Sequence, residues 1–212
     1  MKITRRRFLK NSLRSLVGLL GLSGLSYYYA RYVEPRMLAR RSFTLENSKI
    51  PESLNNLKIL QFSDTHLGYH YDLEQFKELM DIINGQQPDL ILFTGDLIDA
   101  PHLYDFPDEL PILLSQLNAP LGKFWIYGNH DHGGYGTEKV REVMEAGDFQ
   151  LLQNSHMKIG NGEDSFTLAG LDDVMLGRPD LKAALRNVEE SSFTLVMVHE
   201  PDVADEIQHH SV

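Results

Sequence analysis

Short apolar runs, separated by polar stretches, recur along the chain after residue 56. The run at 90–93, LILF, contains no polar residue. A continuous run of this length is typical of a strand that is covered on both faces of its sheet. Similar runs predict strands at 57–62, 123–127, 149–152, 157–159, 166–169 and 193–198, and a lead-in edge strand at 43–45.

Between these runs, apolar residues recur three and four positions apart, which predicts amphipathic helices. The predicted helices cover 73–83, 108–117, 137–147 and 181–188, with Thr137 as the capping residue of the third. Strands that alternate with helices predict an α/β domain with a largely parallel sheet. Ligands collect at the carboxyl ends of the strands in such a sheet.

Length and charge limit the classes of function. At 212 residues the chain fits one core-bearing domain, predicted at 57–212, after a polar linker at 31–56 and an N-terminal segment at 1–30. Residues 1–41 hold ten Lys or Arg and one Glu, a net charge of +9, so residues 42–212 carry −19 to give the chain's −10. An acidic body repels a phosphate backbone, so we expect no nucleic-acid partner. Because the chain has no Cys, any metal must bind nitrogen and oxygen ligands.

The N-terminal segment combines a basic start with an uncharged stretch. Residues 4–10, TRRRFLK, place an Arg pair before a large apolar residue, and the 16 residues at 15–30 are uncharged. The segment resembles a twin-arginine export signal, which implies the twin-arginine export machinery as a partner and an extracytoplasmic or cell-envelope location. Because ~20 apolar residues span a bilayer, both a cleaved signal and a retained membrane anchor remain open.

Four predicted strands are each followed by residues that can bind a metal ion or move a proton. These residues are Asp64, His66, Asp96, Asn129, His130, Asp131 and His199. A single Asp after a strand is usually a turn residue or a helix cap. Four strands that deliver such residues to one rim of a sheet favour a common site instead.

These residue types suit a centre of two adjacent divalent cations. Such cations repel each other, so they need a bridging carboxylate and further nitrogen or oxygen donors around each. Asp96 follows the middle one of the early strands and is the natural bridge. At ~3.5–4 Å between the metals, a bridging hydroxide forms near neutral pH and attacks a phosphorus atom whose oxygens both cations hold. The mixed donors fit Mn, Fe or Zn, and the sequence does not choose among these and Mg.

The residues that carry this chemistry fall into four short motifs. In chain order they are D-x-H at 64–66, GD at 95–96, GNHD at 128–131 and VHEP at 198–201. Together they resemble the calcineurin-like metallophosphoesterase family, and with the N-terminal segment they resemble its exported bacterial branch. The resemblance implies an αββα sandwich of two β-sheets flanked by helices, a binuclear metal centre, and hydrolysis of phosphate mono- or diesters.

The resemblance also implies which residues hold the cations. Asp64 and His66 would bind one metal, and Asn129 and His199 would bind the other. Asp96 would bridge the two. Glycines at the neighbouring turns would bring these side chains and the backbone close to the ions.

Two further residues have an implied role in the chemistry. His130 would lie beside the substrate phosphate, where it stabilises charge in the transition state or protonates the leaving oxygen. Asp131 would hold the ring of His130. The neighbouring His132 is interpreted as a solvated side chain, and Asp172 and Asp173 as turn or helix-cap residues.

The resemblance is incomplete at the C-terminal end. The family ends its site with a Gly-His-x-His block that supplies one His to each metal, and residues 202–212 do not contain it. His209 and His210 lack the Gly and the spacing, and they are interpreted as surface residues. With three protein donors per metal, metal affinity should fall. We therefore expect a truncated domain from a longer enzyme, with a non-catalytic, metal-binding envelope protein as the alternative.

From these features we predict a metal-dependent phosphoesterase. The expected substrate is a small phosphate ester, or a lipid or glycan phosphate of the cell envelope. A phosphodiester or a pyrophosphate is favoured over a monoester because of the export signal and the family branch. The loops at 69–72, 100–107 and 133–136 are expected to select the substrate.

Overall fold

The computed structural model describes residues 4–34, 37–132, 136–162 and 164–207. The chain divides into two compact units, Met1–Phe43 and Thr44–Val212. The second unit contains the seven strands that the described residues form, and it is the part of the chain in which the predicted site residues lie.

The first unit is built on a long helix, α1, at Arg5–Tyr28, which continues as a π-helical turn at Tyr29–Val33. Thr4 caps α1, because its hydroxyl oxygen accepts a hydrogen bond from the backbone N–H of Arg7 at 3.4 Å. None of the residues of α1 is buried. Among the helices of the described residues, none combines the length and the apolar character needed to cross a membrane.

The second unit begins with a four-stranded sheet whose strands are all parallel. Its strands are β1 at Ile59–Phe62, β2 at Leu90–Phe93, β3 at Lys123–Trp125 and β4 at Gln150–Leu151, in that spatial order. Each strand pairs only with its neighbours in the chain, so β2 lies between β1 and β3. The predicted parallel sheet is confirmed, and the ends of β1, β2 and β3 meet at one rim.

Helices connect the parallel strands. They are α2 at Leu73–Gly85, α3 at Glu109–Ser115, the single turn α4 at Asn129–His132, and α5 at Thr137–Ala146. Asp72 begins α2 with a capping box, in which its carboxylate accepts from Gln75 N at 2.9 Å and its own N–H donates to Gln75 Oε1 at 3.1 Å. The prediction that Thr137 caps α5 is wrong, because the cap position is Gly136 and no side chain bonds there.

A second, three-stranded sheet follows. Its strands are β5 at Ser155–Asn161, β6 at Asp164–Gly170 and β7 at Thr194–Met197. β5 and β6 are antiparallel, and β6 and β7 are parallel. Two short helices, α6 at Leu181–Ala184 and α7 at Val203–Ile207, flank this sheet.

The two sheets pack face to face with helices outside them. Side chains on one face of the first sheet, among them Leu92 and Phe124, form a buried cluster with Phe166 and Leu168 of β6. The opposite face of the first sheet packs against α2, α3 and α5, and the second sheet packs against α6 and α7. These four layers are the αββα arrangement predicted from the sequence, with both faces of β2 buried.

Two predicted elements differ from the structure. Residues 43–45, predicted as an edge strand, form no strand, and Phe43 is 88% exposed. The helix predicted at 181–188 ends at Ala184, because Leu185 leaves the helical conformation and Asn187 has a positive φ of 65°.

A buried lysine joins the helices behind the sheet. Lys123 is 8% exposed, and its Nζ donates to the carbonyl oxygens of Leu114 at 2.9 Å and Gly147 at 2.8 Å. These carbonyls belong to the last turns of α3 and α5, where intrahelical partners are absent. Burial lowers the pKa of the Lys123 ammonium. The sequence analysis assigned no role to this residue.

Candidate metal centre

The loops after β1 and β2 continue to pair beyond the ends of the strands. Asp64 N donates to Gly95 O at 3.0 Å, and His66 N donates to Asp96 O at 3.1 Å. This pairing holds the D-x-H segment directly beside Asp96. Asp64, His66 and Asp96 all have positive φ angles, of 56°, 42° and 63°. Such a conformation is uncommon for residues with a Cβ and is typical of segments that the fold constrains at functional sites.

Two glycines allow the loops after β2 and β3 to approach each other closely. Gly95 has a φ of +102°, and a Cβ at this position would overlap the backbone of Gly128. A Cβ on Gly128 would overlap Asp96 Oδ1 and His199 Cε1. Both positions therefore require glycine, which confirms the predicted close turns.

Asp131 holds these loops together by hydrogen bonds to their backbone. It is fully buried, and its carboxylate accepts from three backbone N–H groups, those of Asp96 at 2.8 Å, Leu97 at 3.0 Å and Gly128 at 3.0 Å. Burial raises the pKa of Asp131 to about 6. The prediction that Asp131 holds the ring of His130 is wrong, because its oxygens are engaged with the backbone of the loops.

Asp96 lies at the centre of the site. Its Oδ2 is 3.4 Å from His66 Nε2 and 3.5 Å from His199 Nε2. Its Oδ1 accepts from the backbone N–H of His130 at 2.8 Å. Asp96 is 2% exposed, so one oxygen of a buried carboxylate faces two imidazoles that come from different strands. A cation beside either imidazole would therefore lie within reach of this oxygen.

The orientation of His199 is determined by a backbone carbonyl. His199 Nδ1 is 2.7 Å from Thr94 O, and this nitrogen must donate because the carbonyl oxygen only accepts. In the neutral ring, Nε2 then presents its lone pair towards Asp96 Oδ2 and towards Asn129 Oδ1, which is 3.2 Å away. Three acceptor atoms that converge in this way repel one another unless a proton or a cation lies between them. The hydrogen bond with Asp96 raises the pKa of His199 to about 9.

Asp64 completes the cluster from the exposed side. Its Oδ1 is 3.8 Å from His66 Nε2, and hydrogen bonding to His66 lowers the pKa of Asp64 while raising that of His66. Within the described residues, ligand atoms of Asp64, Asp96 and His199 lie within 4.8 Å of one another, as do those of His66, Asp96 and His130. The mixture of imidazole nitrogen and carboxylate oxygen fits a borderline divalent cation such as Mn, Fe or Zn.

His130 is oriented by Asp99, a residue that the sequence analysis did not select. His130 Nδ1 is 2.6 Å from Asp99 O and 3.7 Å from Asp99 Oδ1. The same carboxylate oxygen is 3.4 Å from His66 Nδ1, so Asp99 contacts both rings. The rings of His66 and His130 meet edge to face, with centroids 4.5 Å apart. Asp99 is three residues after Asp96, and this spacing in the loop after β2 was its only signal in the sequence.

His132 is a structural residue rather than a solvated one. Its Nε2 is 2.7 Å from Asp172 Oδ1, and its side chain is 15% exposed. The interpretation of Asp172 and Asp173 as turn residues is confirmed, because Asp172 Oδ2 accepts from Arg178 N at 2.8 Å and Asp173 Oδ2 accepts from Gly177 N at 3.2 Å. Both carboxylates are buried.

The structure thus brings together all of the residues predicted to bind metal. They are Asp64, His66, Asp96, Asn129 and His199. How they divide between two cations stays a prediction, because Asp64 is near both imidazoles and His130 also lies within reach of a cation beside His66. His209 and His210, interpreted as surface residues, lie outside the described residues.

The sequence of this chain is similar to those of known proteins. The sequence profile of the calcineurin-like phosphoesterases matches residues 57–210. The Bacillus subtilis protein named uncharacterized metallophosphoesterase YkuE is 43% identical over 204 residues, which are 96% of this chain and 71% of the relative. A zebrafish transmembrane protein with a metallophosphoesterase domain is 31% identical over 166 residues, 74% of this chain and 38% of that protein.

A third relative has a named activity. The UDP-2,3-diacylglucosamine pyrophosphatase LpxG of Chlamydia muridarum is 31% identical over 235 residues, with 89% of this chain and 70% of that protein covered. The family profile spans most of the second unit, including every residue of the candidate metal centre. The chain therefore belongs to the calcineurin-like phosphoesterases, a family of metal-dependent hydrolases.

Proposed function

We propose that this protein hydrolyses a phosphodiester or a pyrophosphate at a binuclear metal centre. The position of Asp96 carries the proposal. Its Oδ2 lies at nearly equal distances, 3.4 Å and 3.5 Å, from the Nε2 atoms of His66 and His199. A buried carboxylate between two imidazoles can bind two cations at once. A site for a single cation would not need a carboxylate in this position.

Each cation would be held by residues from a different side of Asp96. His66 would hold one, and His199 with Asn129 would hold the other, while Asp64 completes the exposed side. Two divalent cations, once bound, supply Lewis-acid activation of water and of the phosphoryl group. The protein's own contribution is to orient the ligands: Thr94 O fixes the ring of His199, and Asp131 fixes the loop that bears Asp96.

His130 is placed to act on the substrate. Its Nδ1 faces Asp99 O at 2.6 Å, so this nitrogen carries the proton of the neutral ring and Nε2 is free to exchange a proton. The side chain is 38% exposed and lies at the edge of the cluster beside His66. This position suits a group that stabilises charge on the phosphoryl oxygens or protonates the leaving oxygen.

One relative supports a pyrophosphate as substrate, because it is named a UDP-2,3-diacylglucosamine pyrophosphatase. A phosphate ester of a cell-envelope lipid or glycan is accordingly the substrate class that we favour. Export by the twin-arginine route, membrane attachment and a cell-envelope location stay predictions, which fractionation of cells that express the full protein would test.

Substitution of Asp96 tests the proposal. In Asp96→Asn, hydrolysis of bis(p-nitrophenyl) phosphate should fall by at least about 10³-fold, and bound Mn should fall together with it, because an amide is a poor bridge between cations. The matched control is Asp81→Asn, which removes an exposed carboxylate from α2. Activity should be followed by p-nitrophenolate release, and metal content by elemental analysis.

Two results would contradict the proposal in different ways. Full hydrolysis by the Asp96→Asn variant would show that the bridging assignment is wrong. Stoichiometric metal in the unmodified protein without turnover of any phosphodiester or pyrophosphate would favour a non-catalytic metal-binding protein instead.

A further inference from the structure

Three consecutive large apolar side chains are exposed on the loop between β6 and α6. Val174 is 39% exposed, Met175 is 66% exposed and Leu176 is 58% exposed. We call these residues the 174–176 tip. Single exposed apolar residues are common, but an exposed group of three is typical of a surface that binds another apolar molecule.

Hydrogen bonds at the base of the loop hold the 174–176 tip in a defined conformation. Asp173 Oδ2 accepts from the backbone N–H groups of Leu176 and Gly177, and Asp172 Oδ2 accepts from Arg178 N. Asn154 Oδ1 joins the loop to the sheet, because it accepts from Asp172 N at 3.1 Å. An apolar surface that is ordered before binding loses little conformational entropy when a ligand contacts it.

The base of this loop touches both segments that carry the metal centre. Asp172 Oδ1 is 2.7 Å from Nε2 of His132, which belongs to the same helical turn, α4, as His130. On the other side, Leu171 N at the start of the loop donates to Met197 O at 3.1 Å, at the end of the strand that precedes His199. The loop that bears the 174–176 tip is therefore anchored at the rim of the site.

We infer that the 174–176 tip binds the alkyl or acyl chain of an amphiphilic phosphate ester whose phosphate is bound at the metal centre. The inference rests on the proposed function and names the substrate class of the same site. The group that contacts the tip is the alkyl or acyl chain of the substrate, because the loop that bears the tip is bonded to the segments that would position the phosphate. The tip was not among the loops expected to select the substrate.

Chain-length dependence of hydrolysis tests this inference. The ethyl and octyl esters of p-nitrophenyl phosphate both release p-nitrophenolate and the alkyl phosphate when water attacks phosphorus, and they differ only in chain length. Below the micelle concentration of the octyl ester, kcat/KM should be on the order of tenfold higher for octyl than for ethyl, since apolar contact with the tip stabilises the longer chain. In the double variant Met175→Ser with Leu176→Ser, this ratio should fall to near one, because kcat/KM for the octyl ester falls.

Two control variants test whether a lower chain-length ratio is due to the loss of apolar area at the tip. Met175→Leu with Leu176→Met keeps the apolar area, so it should keep the chain-length ratio. Ile112→Ser removes a 54% exposed apolar side chain from α3, away from the loop, and should also leave the ratio unchanged.

The outcomes distinguish this inference from the proposed function. Hydrolysis of both esters with a chain-length ratio near one in the unmodified protein, or a high ratio that survives the double Ser substitution, would overturn the inference alone. Absence of hydrolysis of both esters, together with absence of any pyrophosphate hydrolysis, would overturn the proposed function and the inference with it.

Discussion

At the scale of single residues, the site depends on which carboxylate faces which ring. Asp99 contacts both imidazoles on one side of the centre, with its Oδ1 3.4 Å from His66 Nδ1 and 3.7 Å from His130 Nδ1. His66 Nδ1 is buried and makes no hydrogen bond within the described residues, so the carboxylate of Asp99 acts on it by its charge. Asp99 is therefore a positioning residue for His66 and His130, while Asp131 supports the backbone of the loops.

Removal of the Asp99 charge should slow turnover without emptying the site. In Asp99→Asn, kcat for a phosphodiester should fall on the order of 10- to 100-fold, because outer-shell partners of metal-site histidines contribute about that much. KM should change little, since Asp99 would not touch the substrate. Steady-state kinetics and metal content should be compared with Asp81→Asn, which removes an exposed carboxylate from α2. Unchanged kcat in Asp99→Asn would contradict this role.

At the scale of secondary-structure elements, the buried lysine of β3 connects the strand to two helices. Lys123 Nζ binds the C-terminal carbonyls of α3 and α5, and its ammonium lies 5.2 Å from the centroid of the Phe149 ring. The positive charge complements the negative ends of both helices. This contact positions α3 and α5 on the sheet whose opposite rim bears the metal centre.

Loss of this contact should destabilise the protein. Lys123→Met removes the buried donor of Gly147 O, while Leu114 O keeps its bond from Leu117 N, so the free energy of unfolding should fall by about 2 kcal/mol. Urea unfolding measures the change. Lys58→Met is the matched control, since Lys58 Nζ donates to Gln86 O at an exposed position and its loss should cost less than about 0.5 kcal/mol. Equal stability of the two variants would show that the Lys123 contacts contribute little.

At the scale of the whole molecule, the metal centre joins the two sheets. Asp64, Asp96 and Asn129 follow strands of the first sheet, whereas His199 follows β7 of the second. A cation held by both groups would bind the folded protein and not the unfolded chain, because the ligands lie far apart in sequence. Metal binding should therefore stabilise the domain as a unit.

Removal of the metal should lower the melting temperature. With Mn²⁺ at about 100 times its Kd, the gain of about 2.7 kcal/mol corresponds to a Tm rise of roughly 5–10 °C over the EDTA-treated protein. Thermal unfolding followed by tryptophan fluorescence or circular dichroism measures it. Asp96→Asn serves as the control that should show no rise, and an equal rise in that variant would place the metal elsewhere.

The rise in Tm on metal binding should depend on pH in a defined direction. Without metal, His199 with its pKa of about 9 is protonated at neutral pH, and its pairing with Asp96 stabilises the protein below about pH 6.5 and is lost as the pH rises through 9. A cation has to displace this proton, so its apparent affinity should increase on the order of tenfold per pH unit between pH 6.5 and 8.5. The Tm gain at a given Mn²⁺ concentration should be larger at pH 8 than at pH 6.5.

The local pattern of the sequence was enough to predict most of the strands and helices and most residues of the site. The apolar run at 90–93 predicted a strand buried on both faces, and the structure has it at the same residues. Because parallel strands deliver their carboxyl ends to one rim, Asp64 and Asp96 could be expected to meet there, whereas His199 reaches the same site from β7 of the second sheet. Glycine at 95 and 128 likewise indicated the close approach of two loops.

Only the tertiary structure decided which groups contact each other within that rim. Successive residues of a helical turn point about 100° apart, so Asp131 faces the backbone below while His130 faces Asp99, although the two are neighbours in the chain. Lys123 and the 174–176 tip were missed for the same reason. The partners of Lys123 lie 9 and 24 residues away in the sequence, and the loop of the tip is bonded to the distant turn α4, so neither contact leaves a local pattern in the sequence. Residue type and spacing therefore determined the chemistry available to this protein, and the packing of its loops determined how that chemistry is oriented.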